Sequence, residues 1–217
     1  MDDTQELTDT SDMVNLHRVF RNAMDRAPAL IASVPEGDLA RAALVASYYD
    51  NVLSLLHVHH DSEDQLVWPR LLERCPDDAA TVSRIAAQHG DVVESLAVAR
   101  QASRDWAATA SARDAAVLQD ALATLQADLT PHLDDEEEFV LPIAARYLSP
   151  EEWGELPSHG MRAFDGDKLW LIMGLVSEQM SAAQQEMMRA NFPPPVAEMW
   201  ANFGQQAFEN FIAELNE

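Results

Sequence analysis

Hydrophobic positions along this chain recur at steps of three and four, the period of helices that turn one face to a core. The first stripe reads Met13, Leu16, Phe20, Met24 and Ala27, with Ser11 or Asp12 placed to cap it and Pro28 to break or bend it. Val34-Pro35-Glu36-Gly37-Asp38 makes a turn, and Asp38 caps a second helix expected from about Leu39 to Glu73. Its stripe is Leu44, Tyr48, Val52, Leu55, His59, Glu63 and Leu66, with Pro69 expected to kink the helix just beyond. After Cys75-Pro76-Asp77-Asp78, a third helix carries Val82, Ile85, His89, Val92, Leu96, Ala99, Ala102 and Trp106. A fourth starts near Ala112 and carries Leu118, Leu122, Leu125, Leu129, His132, Glu136, Val140 and Ile143, with a local distortion expected at Pro131. Connections this short make neighbours antiparallel, so the pattern predicts an all-α, up-down-up-down four-helix bundle over residues 11–147. Residues 1–10 read as a disordered acidic lead-in. Ser149-Pro150-Glu151-Glu152 is a capping box that opens a C-terminal helical extension, residues 148–217, with six Met and three Trp from Trp153 onward. Asn191-Phe192-Pro193-Pro194-Pro195 divides two helical pieces there, and the extension is expected to pack on the bundle or on a second subunit.

Polar residues interrupt the apolar stripes at matching places. His17, His59, His89 and His132 each fall on a core-facing stripe, and Glu63 and Glu136 follow His59 and His132 by four residues, one helical turn along the same face. The segment from His59 to Pro69 aligns without a gap on that from His132 to Pro142. From 59 to 132 the offset is 73, as it is from 63 to 136 and from 69 to 142, and His17 and His89 lie 72 apart. The chain therefore reads as a duplicated helical hairpin whose first helix gives one His and whose second gives His-x-x-x-Glu and then Pro.

A lone His on an apolar stripe is more often a satisfied core residue than a ligand. Four helices each placing one there, two with a Glu one turn on, are a metal-ligand set. Buried carboxylates cannot stay ionised in an apolar core unless cations or metals face them. His57 with Asp61 and His60 with Asp64 are also four apart, but the repeat selects His59 with Glu63. His60 lies about 100° round the helix from His59 and reaches toward the same cavity; its counterpart is Leu133, so the repeat does not require it. Four imidazoles and two carboxylates suffice for two metals that share bridging carboxylates, with positions left for water or a small gas. Such a set suits iron or manganese and tolerates zinc or copper.

Charge narrows the partners. Fourteen basic against 37 acidic residues give −23, which opposes nucleic acid and anionic membranes. Cys75 is the only cysteine, so neither a disulfide framework nor a thiolate cluster is available. The polar N-terminus is unlike a signal peptide, and the apolar run Leu169 to Val176 is too short to span a bilayer, so a cytoplasmic location is expected. His159, beside Gly160, reads as a surface or loop residue.

Taken together, Leu16-His17-Arg18, His59-His60-Asp61-Ser62-Glu63-Asp64 with Trp68-Pro69, Gln88-His89, and His132-Leu133-Asp134-Asp135-Glu136-Glu137 with Leu141-Pro142 resemble the hemerythrin-like, or HHE, cation-binding family. The likeness covers about residues 11–147. It implies a non-haem di-iron centre in a four-helix bundle, binding or sensing oxygen, nitric oxide or peroxide. The implied ligands are His17, His59, Glu63, His89, His132 and Glu136, with the two Glu as bridges and manganese or zinc as substitutes for iron. Oxygen-carrying members have a second His four residues after the third-helix His, where this chain has Val93, and that argues against simple reversible oxygen carriage. His60 is the candidate compensation, because some members use the residue beside the second-helix His as a ligand. An enzyme is the alternative: a di-iron oxidase, oxygenase or peroxidase, with Tyr48 and Tyr49 nearby and a tail long enough to cap a pocket. Iron storage is the weakest reading. A homodimer through the C-terminal helices is also expected.

Overall fold

The computed structural model describes residues 7–163 and 169–217. Its elements, in chain order, are α1 (Ser11–Ala32), α2 (Leu39–Leu66), α3 (Trp68–Arg74), α4 (Ala79–Thr109) and α5 (Ala112–Asp135), then a π-helical turn (Glu136–Val140) and α6 (Leu141–Tyr147). The extension follows as α7 (Pro150–Trp153), α8 (Glu155–Ala163), α9 (Leu169–Glu178), α10 (Ala182–Ala190), α11 (Pro194–Met199), a second π-helical turn (Trp200–Gly204) and α12 (Gln205–Leu215). Helix α1 packs on α2 and α5, and α4 packs on the same two, which closes the expected four-helix bundle.

Helix ends follow the local chemistry, with some corrections. Asp38 and Ser111 accept hydrogen bonds from the N–H groups of Arg41 and Asp114, as N-caps do. Neither Ser11 nor Asp12 caps α1. The Ser11 N–H reaches the Asp9 carboxylate instead, and Asp12 accepts from Trp153 Nε1 at 2.9 Å. Pro28 does not end α1, which runs on to Ala32. The long second helix stops at Leu66 and restarts at Trp68, because Pro69 has no N–H to continue the ladder. Around Pro131 α5 stays helical; the distortion comes later, in the π turn Glu136–Val140 just ahead of Pro142. Of the acidic lead-in, residues 1–6 lie outside the described residues. Thr8 is held rather than loose: it is buried, its N–H bonds to Ala145 O (2.9 Å) and its hydroxyl to Leu148 O (2.6 Å).

The apolar interior falls into two cores. One holds Phe20, Leu53, Leu56, Val92, Leu125 and Leu129 with much of α9; the other holds Met13, Trp68, Val82, Ile85, Val140 and Ile143 with α7. On every bundle helix the His or Glu stripe positions sit between residues of the first core and residues of the second, so the polar set forms one layer across the bundle.

The extension lies against this frame. Helix α8 packs on α2, where His159 is helical and half-buried with Nε2 at 3.5 Å from Asp61 Oδ2, not in a loop. Arg74 pairs with Glu152 at 2.6 Å and Arg70 with Glu155 at 2.7 Å. Helix α9 packs on α1, α2 and α12. There Phe208 presses so closely on Gly174 that an added Cβ would stand 2.1 Å from its ring.

Gly174→Ala must therefore push α12 away from α9. Overpacking of this kind costs about 1–3 kcal/mol. A lowered melting temperature with unchanged metal content is the expected result, measured by thermal denaturation and elemental analysis.

Candidate metal centre

All seven side chains singled out along the chain, His17, His59, His60, Glu63, His89, His132 and Glu136, are buried and meet in one layer. They form two groups, each able to hold a metal ion. His17, His59, Glu63 and Glu136 make the first; His60, Glu63, His89 and His132 make the second; within each group the ligand atoms lie within 4.8 Å of one another. Glu63 belongs to both. Its Oε1 lies 3.4 Å from His59 Nδ1 and its Oε2 3.4 Å from His89 Nε2. Glu136 also faces both groups, with Oε2 3.4 Å from His17 Nε2 and 3.8 Å from His132 Nε2. Each carboxylate thus stands between an imidazole of one group and an imidazole of the other.

The donor atoms that point inward are left over by the protein's own bonding. His17, His89 and His132 Nε2, both nitrogens of His60, both oxygens of Glu63 and Glu136 Oε2 are buried without a hydrogen-bond partner, and so is the Nε2 of His59, whose Nδ1 is the nitrogen that faces Glu63. Buried polar atoms are almost always paired. Here so many lone pairs converge on one cavity that a cation is the group that fits them.

On the outward side three imidazoles are anchored. His17 Nδ1 donates to Glu137 Oε1 at 2.8 Å, His89 Nδ1 to Asp64 Oδ1 at 2.9 Å, and His132 Nδ1 to Gln88 Oε1 at 3.3 Å. An acceptor on Nδ1 fixes the tautomer and leaves the Nε2 lone pair for a metal. Glu137 is held in turn by Arg21 (3.0 Å), and Gln88 by Asp135 (2.9 Å), which Arg84 also grips (2.6 Å). His60 stacks on His89 with ring centroids 4.1 Å apart. Val93 is exposed on α4, so His60 supplies the third imidazole of the second group from α2. His57 is exposed and apart from the layer.

The spacing offers Asp64 only as a partner of His60, whereas it bonds His89, and it gives no role to Glu137, Gln88, Asp135 or Arg21. Acidic runs on helices are usually solvated, which hides the members of Asp134 to Glu138 other than Glu136. The repeat held the signal all the same: Asp64 and Glu137 are also 73 apart, each directly after the inner Glu.

Electrostatics divide the layer. Burial holds His132 down to about 4, and burial together with neighbouring imidazoles holds His59 and His60 well below the ordinary histidine value. Burial beside Glu136 raises Glu63 well above the carboxylate range. Although burial opposes charging of both, Glu136 and Glu137 lift His17 to about 9 and His17 draws Glu136 down to about 2. With protein groups alone, His17 and Glu136 form an ion pair while His59, His60, His132 and Glu63 are held toward their neutral forms.

Residues 8–144 match the family model described as the hemerythrin HHE cation binding domain. The match covers more than half of the chain, which belongs to that family. Among curated proteins and among solved structures there is no match.

The pH dependence of the chelator-treated protein follows from these shifts. His59, His60 and His132 bind protons in the unfolded chain near pH 6.5 but not in the fold, so their contribution is present above about 6.5 and is lost as pH falls toward about 4. Glu63 opposes them with one proton against three. His17 works the other way, stabilising fully below about 6.5 and losing its contribution as pH rises through about 9. The melting temperature of the chelated protein is expected to peak near pH 6.5 and to fall on both sides, most steeply on the acid side.

Proposed function

We propose that the layer holds two iron ions, carboxylate-bridged through Glu63 and Glu136, and that the protein binds or senses oxygen, nitric oxide or peroxide there. The observation that carries this reading is the pair of ligand groups that share Glu63, with unpartnered inner atoms and anchored outer nitrogens. Imidazole and carboxylate together suit ferrous iron, with manganese or zinc as substitutes. Iron held by these imidazoles and carboxylates would supply the electrons and the Lewis acidity that binding a small ligand needs.

The chain's own residues supply the setting. Phe20, packed on His59 at 5.4 Å between ring centroids, and Trp68, packed on His89 at 5.5 Å, shield the layer from water on its two sides. Glu63 binds a proton when alone with Glu136 and releases it when a cation takes its lone pairs, so metal loading is coupled to pH. Two clefts beside α1 do not touch the layer. The larger, about 250 Å³ and lined by Arg26, Tyr48, Leu175 and Glu178, contains no cluster residue, and neither does the smaller. A di-iron oxidase, oxygenase or peroxidase acting on a small substrate is the second reading.

Among the described residues no helix is long and apolar enough to cross a membrane. A cytoplasmic location, no nucleic-acid partner and a homodimer through the extension belong to the same proposal. Helix α10 has no buried residue, and Met187 is 66% exposed on it.

Anaerobic titration with ferrous iron tests the reading. Two ions per chain are expected, and Glu63→Ala is expected to remove both because both groups use it, while His17→Ala and His60→Ala each weaken one. Exposure of the loaded protein to oxygen, nitric oxide and peroxide, followed by visible absorption, then separates reversible binding from turnover. Less than about one ion per chain, or metal content indifferent to Glu63→Ala, overturns it.

A further inference from the structure

We infer that Asp64 and Glu137 are crossed positioning residues, each setting the donor strength of the lone imidazole on the opposite hairpin. The inference rests on the reading that the two groups hold metal ions. Asp64 and Glu137 each come one residue after the inner Glu of their own hairpin, about 100° farther round the helix. While Glu63 points into the cavity, Asp64 reaches the seam between α2 and α4 and takes His89 Nδ1 at 2.9 Å. While Glu136 points inward, Glu137, next to it in the π-helical turn that follows α5, reaches across to α1 and takes His17 Nδ1 at 2.8 Å. Neither acid serves its own hairpin. One helical turn of α2 therefore holds both a shared inner ligand and the outer anchor of the other hairpin's ligand, and the π-helical turn after α5 does the same in reverse.

A carboxylate on Nδ1–H makes the imidazole a stronger base at Nε2 and fixes its orientation, and losing such a partner typically costs 10–100-fold in metal affinity. The two anchors differ in setting. Glu137 is 30% exposed and bound to Arg21, which also grips Asp134 at 2.9 Å. Asp64 is 54% exposed, and the contact it makes with His89 stands at the solvent edge. Each acid serves one lone imidazole only: His89 lies in the second ligand group and His17 in the first. Removing one anchor should therefore weaken one ion and leave the other.

Cobalt(II) titration of the full-length protein, followed through its d–d absorption, tests this on Asp64→Asn, Glu137→Gln and Asp64→Glu. The amides keep an acceptor on Nδ1 but remove the charge. Asp64→Asn is expected to weaken one of the two binding steps by about 10–100-fold and shift that ion's bands. Glu137→Gln is expected to do the same to the other step. Asp64→Glu, which installs the residue of the second repeat, is expected to restore wild-type binding, and the metal-free melting temperatures of the two Asp64 variants should match the wild type, whereas Glu137→Gln also loses the pairing of Glu137 with His17 and Arg21 and melts somewhat lower. Wild-type binding in both amide variants overturns the inference, as does equal loss at both steps with a lowered metal-free melting temperature, since that is a packing role. A wild-type protein that takes up no cobalt overturns instead the metal reading beneath it.

Discussion

Two carboxylates, Glu63 and Glu136, stand at the middle of a bundle whose layers above and below are apolar. Burying an ionised carboxylate without a partner costs several kcal/mol at least, and two side by side repel. Much of the surrounding structure answers that problem. Five imidazoles line the cavity, one carboxylate borrows a charge from His17, and the other is driven toward its protonated form. That arrangement is poor as plain core packing, because it leaves inner lone pairs unmatched on every helix. It is good as a cation site, where the same lone pairs become ligands.

The backbone serves the same end. Below each inner Glu the helix loses its regular ladder: after Glu63 at Val67, ahead of Pro69, and from Glu136 to Val140, ahead of Pro142. A proline two turns beyond a ligand removes one backbone bond and lets the helix rewind locally. The two copies solve this differently, one with a single interrupting residue and one with a π turn that starts on the ligand itself. Their inner oxygens nonetheless reach equivalent places, each between two imidazoles of different groups.

Much of this was legible in the residues. The three-and-four spacing carries the bundle, and the 73-residue offset pairs Glu63 with Glu136 before any coordinates exist. What was not legible lies across seams. Asp64 and Glu137 look solvated on their own helices, and only the packing of α2 on α4 and of α5 on α1 brings a ring nitrogen to each. The same holds for Asp12, which resembles a cap until Trp153, far along the chain, arrives at its carboxylate. Distortion was expected at Pro131 yet appears ahead of Pro142: a proline inside a helix can be carried by neighbouring contacts, whereas an inner ligand followed by a proline must be re-aimed.

The repeat is most informative where it fails. His60 stands opposite Leu133, and Gln88, which anchors His132, stands opposite Leu16. Both departures put nitrogen donors or their anchors on the same group, the one with His89 and His132. That group has three imidazoles and one carboxylate; its mate has two of each. Duplication alone would have produced two equal positions, so the asymmetry lies in two pairs of side chains. Imidazole is concentrated in the group of His60, His89 and His132, while the group of His17 and His59, beside Phe20, has the larger share of carboxylate.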